Sequence, residues 1–290
     1  MVAVEVDRSD CGPDARADAR YPERWAARKE GKLVTDDQTK HLAASLDAEE
    51  ALLPFVPHLL QDLWSLGFSP EAPLRLLERH LHEAPQHVVD LGCGKGALLI
   101  HLAKRFGWHG RGVDIVPEFI AEARRYANVW GVADALDFEV KDMGEELAEG
   151  GERNLVLFGF DSEALGALQE ALARIAECVA LSGHLLVDLA WARSGHSADL
   201  PSEAQVLDSA HAVGLRLVDR EMLDPAWVAT EGSRHVELIR RRAKELAIRY
   251  PEHSAAFEAY VTEQEAENQL LTKEAHCGCL LFARSGQKAM

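Results

Sequence analysis

Long apolar runs are missing from this chain of 290 residues. No stretch approaches the roughly 20 consecutive apolar residues that cross a bilayer. The N-terminal MVAVEVDRSDCG has no continuous apolar segment behind a basic start, so neither a membrane span nor a secretory leader is expected. Positive charge is also short: 31 Lys and Arg stand against 48 Asp and Glu, a formal net charge of −17. Binding to nucleic acid depends on cationic side chains neutralising phosphates, so no nucleic-acid partner is expected and a small molecule is favoured. Cysteines number five, odd and scattered (Cys11, Cys93, Cys178, Cys277, Cys279), which excludes a dense disulfide framework and fits a reducing compartment. The cytoplasm is the expected location. No internal repeat or low-complexity tract is present, and nothing in the sequence reports an oligomeric state.

What the chain has is apolar content, 47% of residues, enough for one full core with additions. Residues 1–46 read as a flexible or lid-forming arm, rich in Asp, Arg and Ala, with Tyr21 and Trp25 its main early anchors. Residues 47–224 hold a helical lead-in and then an α/β core. In the lead-in, Leu52, Leu53, Val56, Leu59, Leu60 and Leu63 recur at helical spacing, cut by Pro54, Pro57 and Pro70. In the core, VVDL, GVDI, LDFEVKD, NLVLFGF and HLLVDLA alternate with helical patterns at 97–106, 117–130 and 163–180. A helix at 203–213 and a strand at 215–222 follow. Such alternation predicts a doubly wound parallel sheet covered on both faces. A helical stretch, 225–273, precedes a last strand in 274–290 (CGCLLFA), so helices are inserted before the final strand and are placed to cap a substrate.

The first strand ends in Asp90 and runs into Gly92-Cys93-Gly94-Lys95-Gly96 before a helix. Glycines there let the backbone approach a ligand closely. The spacing GxGxG is one residue short of the loop that seats a dinucleotide pyrophosphate, and Lys95 lacks the Ser or Thr that a P-loop needs. An acidic residue just before the loop makes sense for a ligand carrying positive charge, and S-adenosylmethionine carries an ammonium and a sulfonium. Asp114 ends the second strand, 18 residues beyond Gly96, where an acid takes ribose hydroxyls. Asp142 ends the third strand pattern, placed to accept from an adenine amino group while Met143 packs on the ring.

VVDLGCGKG, GVDIVPEFIAEAR and KDM resemble the successive cofactor motifs of class I S-adenosylmethionine-dependent methyltransferases, over about residues 85–190. The resemblance implies a Rossmann-like seven-stranded sheet with its last strand antiparallel. It also implies that Asp90, Gly92 and Gly94 lie near the methionine moiety, with Cys93 in the loop. Asp114 and Ile115 fall at the ribose, Asp142 and Met143 at the adenine, and Gly159, Phe160 and Asp161 beside the transferred methyl. Phe158-Gly159-Phe160-Asp161-Ser162 stands where relatives acting on nucleic acid or protein amides often carry an Asn/Asp-Pro-Pro-Tyr type motif, which favours a small-molecule acceptor.

The expected activity is therefore methyl transfer to O, N, C or S of a small metabolite. A cofactor-binding regulatory or scaffold protein is the alternative, and another reaction at the sulfonium a third. Asp161, His196 and Tyr260 are the candidate catalytic groups, with Glu263 and His276 behind them. Cys93 reads as a small side chain under the turn rather than a nucleophile. Cys277 and Cys279 read as sheet cysteines without metal-ligand spacing. The run Arg240-Arg241-Arg242-Ala243-Lys244 reads as the wet side of a helix, or else a clamp for an acidic acceptor. His41, His58, His80, His82 and His87 are assigned to helix surfaces or their flanks.

Overall fold

The computed structural model describes residues 35–46, 48–67, 69–85, 87–193 and 200–285. The chain enters through helix α1 (Asp36–Ser45), a 3-10 turn over Glu50–Phe55, α2 (Val56–Leu59) and α3 (Glu71–His80). Next come β1 (Val88–Leu91), α4 (Ala97–Phe106), β2 (Gly110–Asp114), α5 (Pro117–Trp130), β3 (Leu136–Val140), α6 (Met143–Ala148) and β4 (Arg153–Gly159). The chain continues through α7 (Ser162–Leu165), α8 (Leu168–Cys178), β5 (Val179–Ala192), α9 (Glu203–Ala212) and β6 (Leu215–Met222). It closes with α10 (Pro225–Arg249), α11 (Ser254–Lys273) and β7 (Ala275–Arg284).

The seven strands form one sheet in the order β3-β2-β1-β4-β5-β7-β6. Strands β1 to β5 pair in parallel, while β7 runs antiparallel to both β5 and β6. Burial on both faces explains the apolar runs of the central strands: every residue of VVDL is buried, Asp90 included. One face packs under α8 and α9 through Leu172, Ile175, Val206 and Ala210. The other packs under α3, α4 and α5 through Leu76, Leu99, Ile100 and Ile120.

The 14 residues of β5 include a bulge. Helix was expected over 163–180 with a stop at Ser182-Gly183; instead the helix is split in two and ends at Cys178. Gly166 breaks it with φ +88°. Ser182, at φ +69°, and Gly183 mark the irregularity inside β5, where a Cβ on Gly183 would sit 2.9 Å from the Ala180 carbonyl. The short helix α6 was not foreseen.

A third cluster lies off the sheet. Leu52, Phe55, Val56 and Leu59 of the lead-in meet Val116 and Phe119 after β2, and Ile239, Leu246, Phe257 and Tyr260 of α10 and α11. Phe257 is fully buried with its ring edge-on to Phe55 at 5.2 Å. The α10–α11 hairpin leaves the sheet after β6, where Val228 packs with Ala275 and Cys277 of β7, and reaches as far as the β2 end of the sheet. It therefore crosses above the C-terminal ends of the parallel strands and, with the lead-in residues it packs on, forms a helical roof there. Leu42 and Ala43 of α1 are buried in the same cluster. Among the described residues no helix is long and apolar enough to cross a membrane.

Candidate functional site

Strand register brings the acidic tips together at one end of the sheet. Asp90 lies beside Gly112 and Leu157, Asp114 beside Val140, and Gly159 beside Asp188. From β1 the chain turns through Gly92, Gly94 and Gly96, all at positive φ. At Gly96 (φ +73°) the turn becomes the cap of α4, and a Cβ would come within 2.7 Å of the Phe138 ring. At Gly92 (φ +71°) a Cβ would come within 2.9 Å of the Met143 methyl, which puts Met143 directly beside the loop. The Cys93 thiol packs beneath the turn against Gly112 and Phe138, and burial pushes it well above the usual thiol range.

Asp114 organises the loop. The Gly94 N–H donates to its Oδ2 and the Val116 N–H to its Oδ1, both at 2.8 Å. Burial pushes the Asp114 carboxyl up to about 6 despite those two bonds. Asp90, 7% exposed, is raised to about 7, first by burial and then by the neighbouring Asp114 charge. Among the described residues no cation or hydrogen-bond donor pairs with the Asp90 carboxylate. Two adjacent carboxyls held this way, Asp90 buried and Asp114 half-buried, are costly as anions, and a ligand that brings a positive charge and hydroxyl donors offsets that cost. The backbone at Gly159 leaves open space where a Cβ would stand.

Asp142 and Asp161 share a second feature. Each caps a helix through its Oδ1, Asp142 on the N–H groups of Gly144 and Glu145, Asp161 on those of Glu163 and Ala164. The Phe160 N–H donates to the Asp188 carbonyl at 2.8 Å. Ile115 packs at the edge of the lead-in cluster. Among the remaining candidates, Tyr260 is packed at 4% exposure within the roof cluster, Glu263 is exposed on α11, and His276 stands 6.1 Å from the Trp191 ring on β5. His196 lies outside the described residues.

Several structural roles had no readable signal in the sequence. Lys95, between the loop glycines, is 1% exposed; its Nζ donates to the Leu60 carbonyl at 2.8 Å and pairs with Glu122 at 3.2 Å. The basic run on α10 is occupied within the molecule. Arg241 and Arg242 hold Asp62, and Arg240 pairs with Glu237 and Glu265. His58, assigned above to a helix surface, is instead buried 3.6 Å from Glu245. Burial, helped by the nearby Arg242 charge, holds its ring below the usual histidine range. Cys277 and Cys279 are buried on the sheet, and no described group of side chains forms a metal cluster. A cavity of about 500 Å³ opens at the opposite, N-terminal ends of the strands, lined by His87, His109, Arg111, Glu146 and Arg153. Arg111 and Arg153 there pair with Glu146.

Comparison with known proteins bears on the same region. Residues 88–183 match the family described as "Methyltransferase domain". Norajmaline N-methyltransferase of Rauvolfia serpentina is 33% identical over 58 residues, 20% of each chain. The chloroplastic tocopherol O-methyltransferase of Arabidopsis thaliana is 25% identical over 175 residues, 56% of this chain and 48% of that one. The chain thus spans between a fifth and a half of the length of these curated relatives. Among solved structures, an S-adenosylmethionine-dependent methyltransferase from Thiobacillus denitrificans, in complex with S-adenosyl-L-homocysteine, superposes with a TM-score of 0.66 at 19% identity. The match covers 79% of this chain and 98% of that one, and it shows the shared fold.

Proposed function

We propose that this chain, whose residues 88–183 form a methyltransferase domain in the class I Rossmann-like fold, uses S-adenosylmethionine to methylate a small metabolite. The observation that carries the reading is the buried, cation-less Asp90 beside Asp114 at a loop of left-handed glycines. Asp90 complements the ammonium of the methionine moiety, the Gly92 and Gly94 backbone gives close approach, and Asp114 with Ile115 borders the ribose. Asp142 and Met143 border the adenine, with Met143 held beside Gly92. Gly159 and Phe160 flank the methyl.

When bound, S-adenosylmethionine supplies a methyl already activated by its sulfonium. The chain's own residues then have to align the acceptor and exclude water. Residues 225–273 are suited to this as a cap, because the α10–α11 hairpin crosses the strand ends. An acceptor hydroxyl or ammonium also needs a proton acceptor. Asp161 is the first candidate, since its Oδ1 caps α7 and no described donor holds Oδ2. Tyr260 and His196 follow. The small acceptor is supported by the names of the relatives and by the acidic net charge of −17, which disfavours nucleic acid.

Calorimetric titration with S-adenosylmethionine and S-adenosyl-L-homocysteine tests the premise, and transfer of a labelled methyl into a metabolite extract tests the reaction. Binding with transfer is expected. No binding of either nucleoside rejects the reading, and binding without transfer across extracts selects the non-catalytic alternative.

A further inference from the structure

We propose that residues 60–67 and the buried Lys95 couple the helical roof to the cofactor loop, so that the grip of Arg242 on Asp62 sets how tightly the loop holds its nucleoside. Arg242 and Asp62 are positioning residues in this scheme, acting through the loop. The proposal rests on the cofactor reading above and adds a link between two parts of the molecule that the sequence places almost 150 residues apart.

The segment is held from both sides. On the roof side, Arg242 Nε and Nη2 donate to Asp62 Oδ2 and Oδ1 at 2.7 and 2.9 Å, a bidentate pair joined by Arg241. The Asp62 side chain is only 4% exposed. On the loop side, Lys95 Nζ reaches the Leu60 carbonyl at 2.8 Å, and Trp64 Nε1–H donates to the Lys95 carbonyl at 3.2 Å. The Leu66 side chain lies 3.2 Å from where a Gly94 Cβ would be. Three loop contacts and one roof clamp therefore fall within eight residues.

Lys95 makes the link stiff. Burial works against its ammonium, and Glu122 with the Asp62 charge works for it. Drawing the segment away from the loop leaves that ammonium buried and short of partners, a costly state. Loop and segment consequently shift together, and Arg242 ties the segment to α10. A ligand seated on the loop must then bias the roof, and the roof must bias the ligand equally.

The test uses the full-length protein with S-adenosyl-L-homocysteine as the probe. Hydrogen exchange is measured on the wild type with and without probe. Affinity and thermal midpoint are measured for wild type, Asp62→Asn, Arg242→Ala and the double variant. Slowed exchange is expected over 236–247 as well as 91–97. Each single variant should lose about fivefold or more in affinity, and the double variant should be no weaker than the weaker single. A purely structural role predicts lower thermal midpoints with affinity held within about twofold, and that result overturns the coupling. Unchanged exchange over 236–247 in the probe-bound wild type overturns it as well, even where a variant fails to fold. A wild type that binds no probe rejects the cofactor reading itself, and the coupling with it.

Discussion

Replacing Asp90 with Asn should stabilise the ligand-free protein while weakening its hold on the nucleoside. Asn keeps the size of the side chain and removes the charge. Burial and the Asp114 charge raise the Asp90 carboxyl from 3.8 to about 7 in the folded protein. Because the folded value lies above the unfolded one, the unfolded chain binds fewer protons between these limits, and stability falls as pH rises through that window. The contribution is fully present below pH 4 or so and lost above about 7, a difference on the order of 4 kcal/mol at 1.36 kcal/mol per pH unit. Asp90→Asn removes this dependence. Its advantage over wild type should be near zero at pH 3.5, grow through the window and level off by pH 8. Urea unfolding at several pH values, followed by tryptophan fluorescence, measures it. Saturating S-adenosyl-L-homocysteine should narrow the gap at pH 8, since probe at 100 times Kd adds about 2.7 kcal/mol to a protein that binds it, against an advantage of roughly 4 kcal/mol. A variant with no gain at pH 8, or one that binds the probe as tightly as wild type, would refute the assignment of Asp90 as the counter-charge.

Two further outcomes bear on the frame. Gly96→Ala places a Cβ at φ +73° within 2.7 Å of Phe138. Backbone strain and overpacking together should cost about 2–4 kcal/mol in denaturant unfolding, and a change under half a kcal/mol would contradict the loop geometry. Phe257→Ala empties a fully buried position shared by lead-in and roof. A loss of roughly 3–5 kcal/mol is expected, with exchange over 236–261 rising before that of the sheet. Equal acceleration everywhere would argue that the roof is not a separate cluster.

Local patterning was enough for most of the framework. Alternation of apolar strands with amphipathic helices placed α4 and α5 at their observed bounds, 97–106 and 117–130, because glycines at 96, 107 and 131 and Pro117 set their ends chemically. The glycine spacing with Asp90, Asp114 and Asp142 gave the candidate cofactor edge, since strand ends converge in any doubly wound sheet. The split between α7 and α8 escaped because one glycine inside an otherwise periodic stripe carries little weight until its φ is known.

Only the tertiary structure decided what the charged residues do. Asp62, Lys95 and Arg242 are distant in sequence and belong to three different elements, so no period or spacing relates them, yet packing brings all three to one segment. Burial, likewise a property of the assembled fold, turned Asp90 from a motif letter into a carboxyl of about 7 and turned an apparently solvated arginine run into a clamp. Sequence alone determined the strand segments, the glycine loop and the acidic residues beside it, because each depends on neighbours a few residues away. Solvent exclusion and long-range pairing determined the rest.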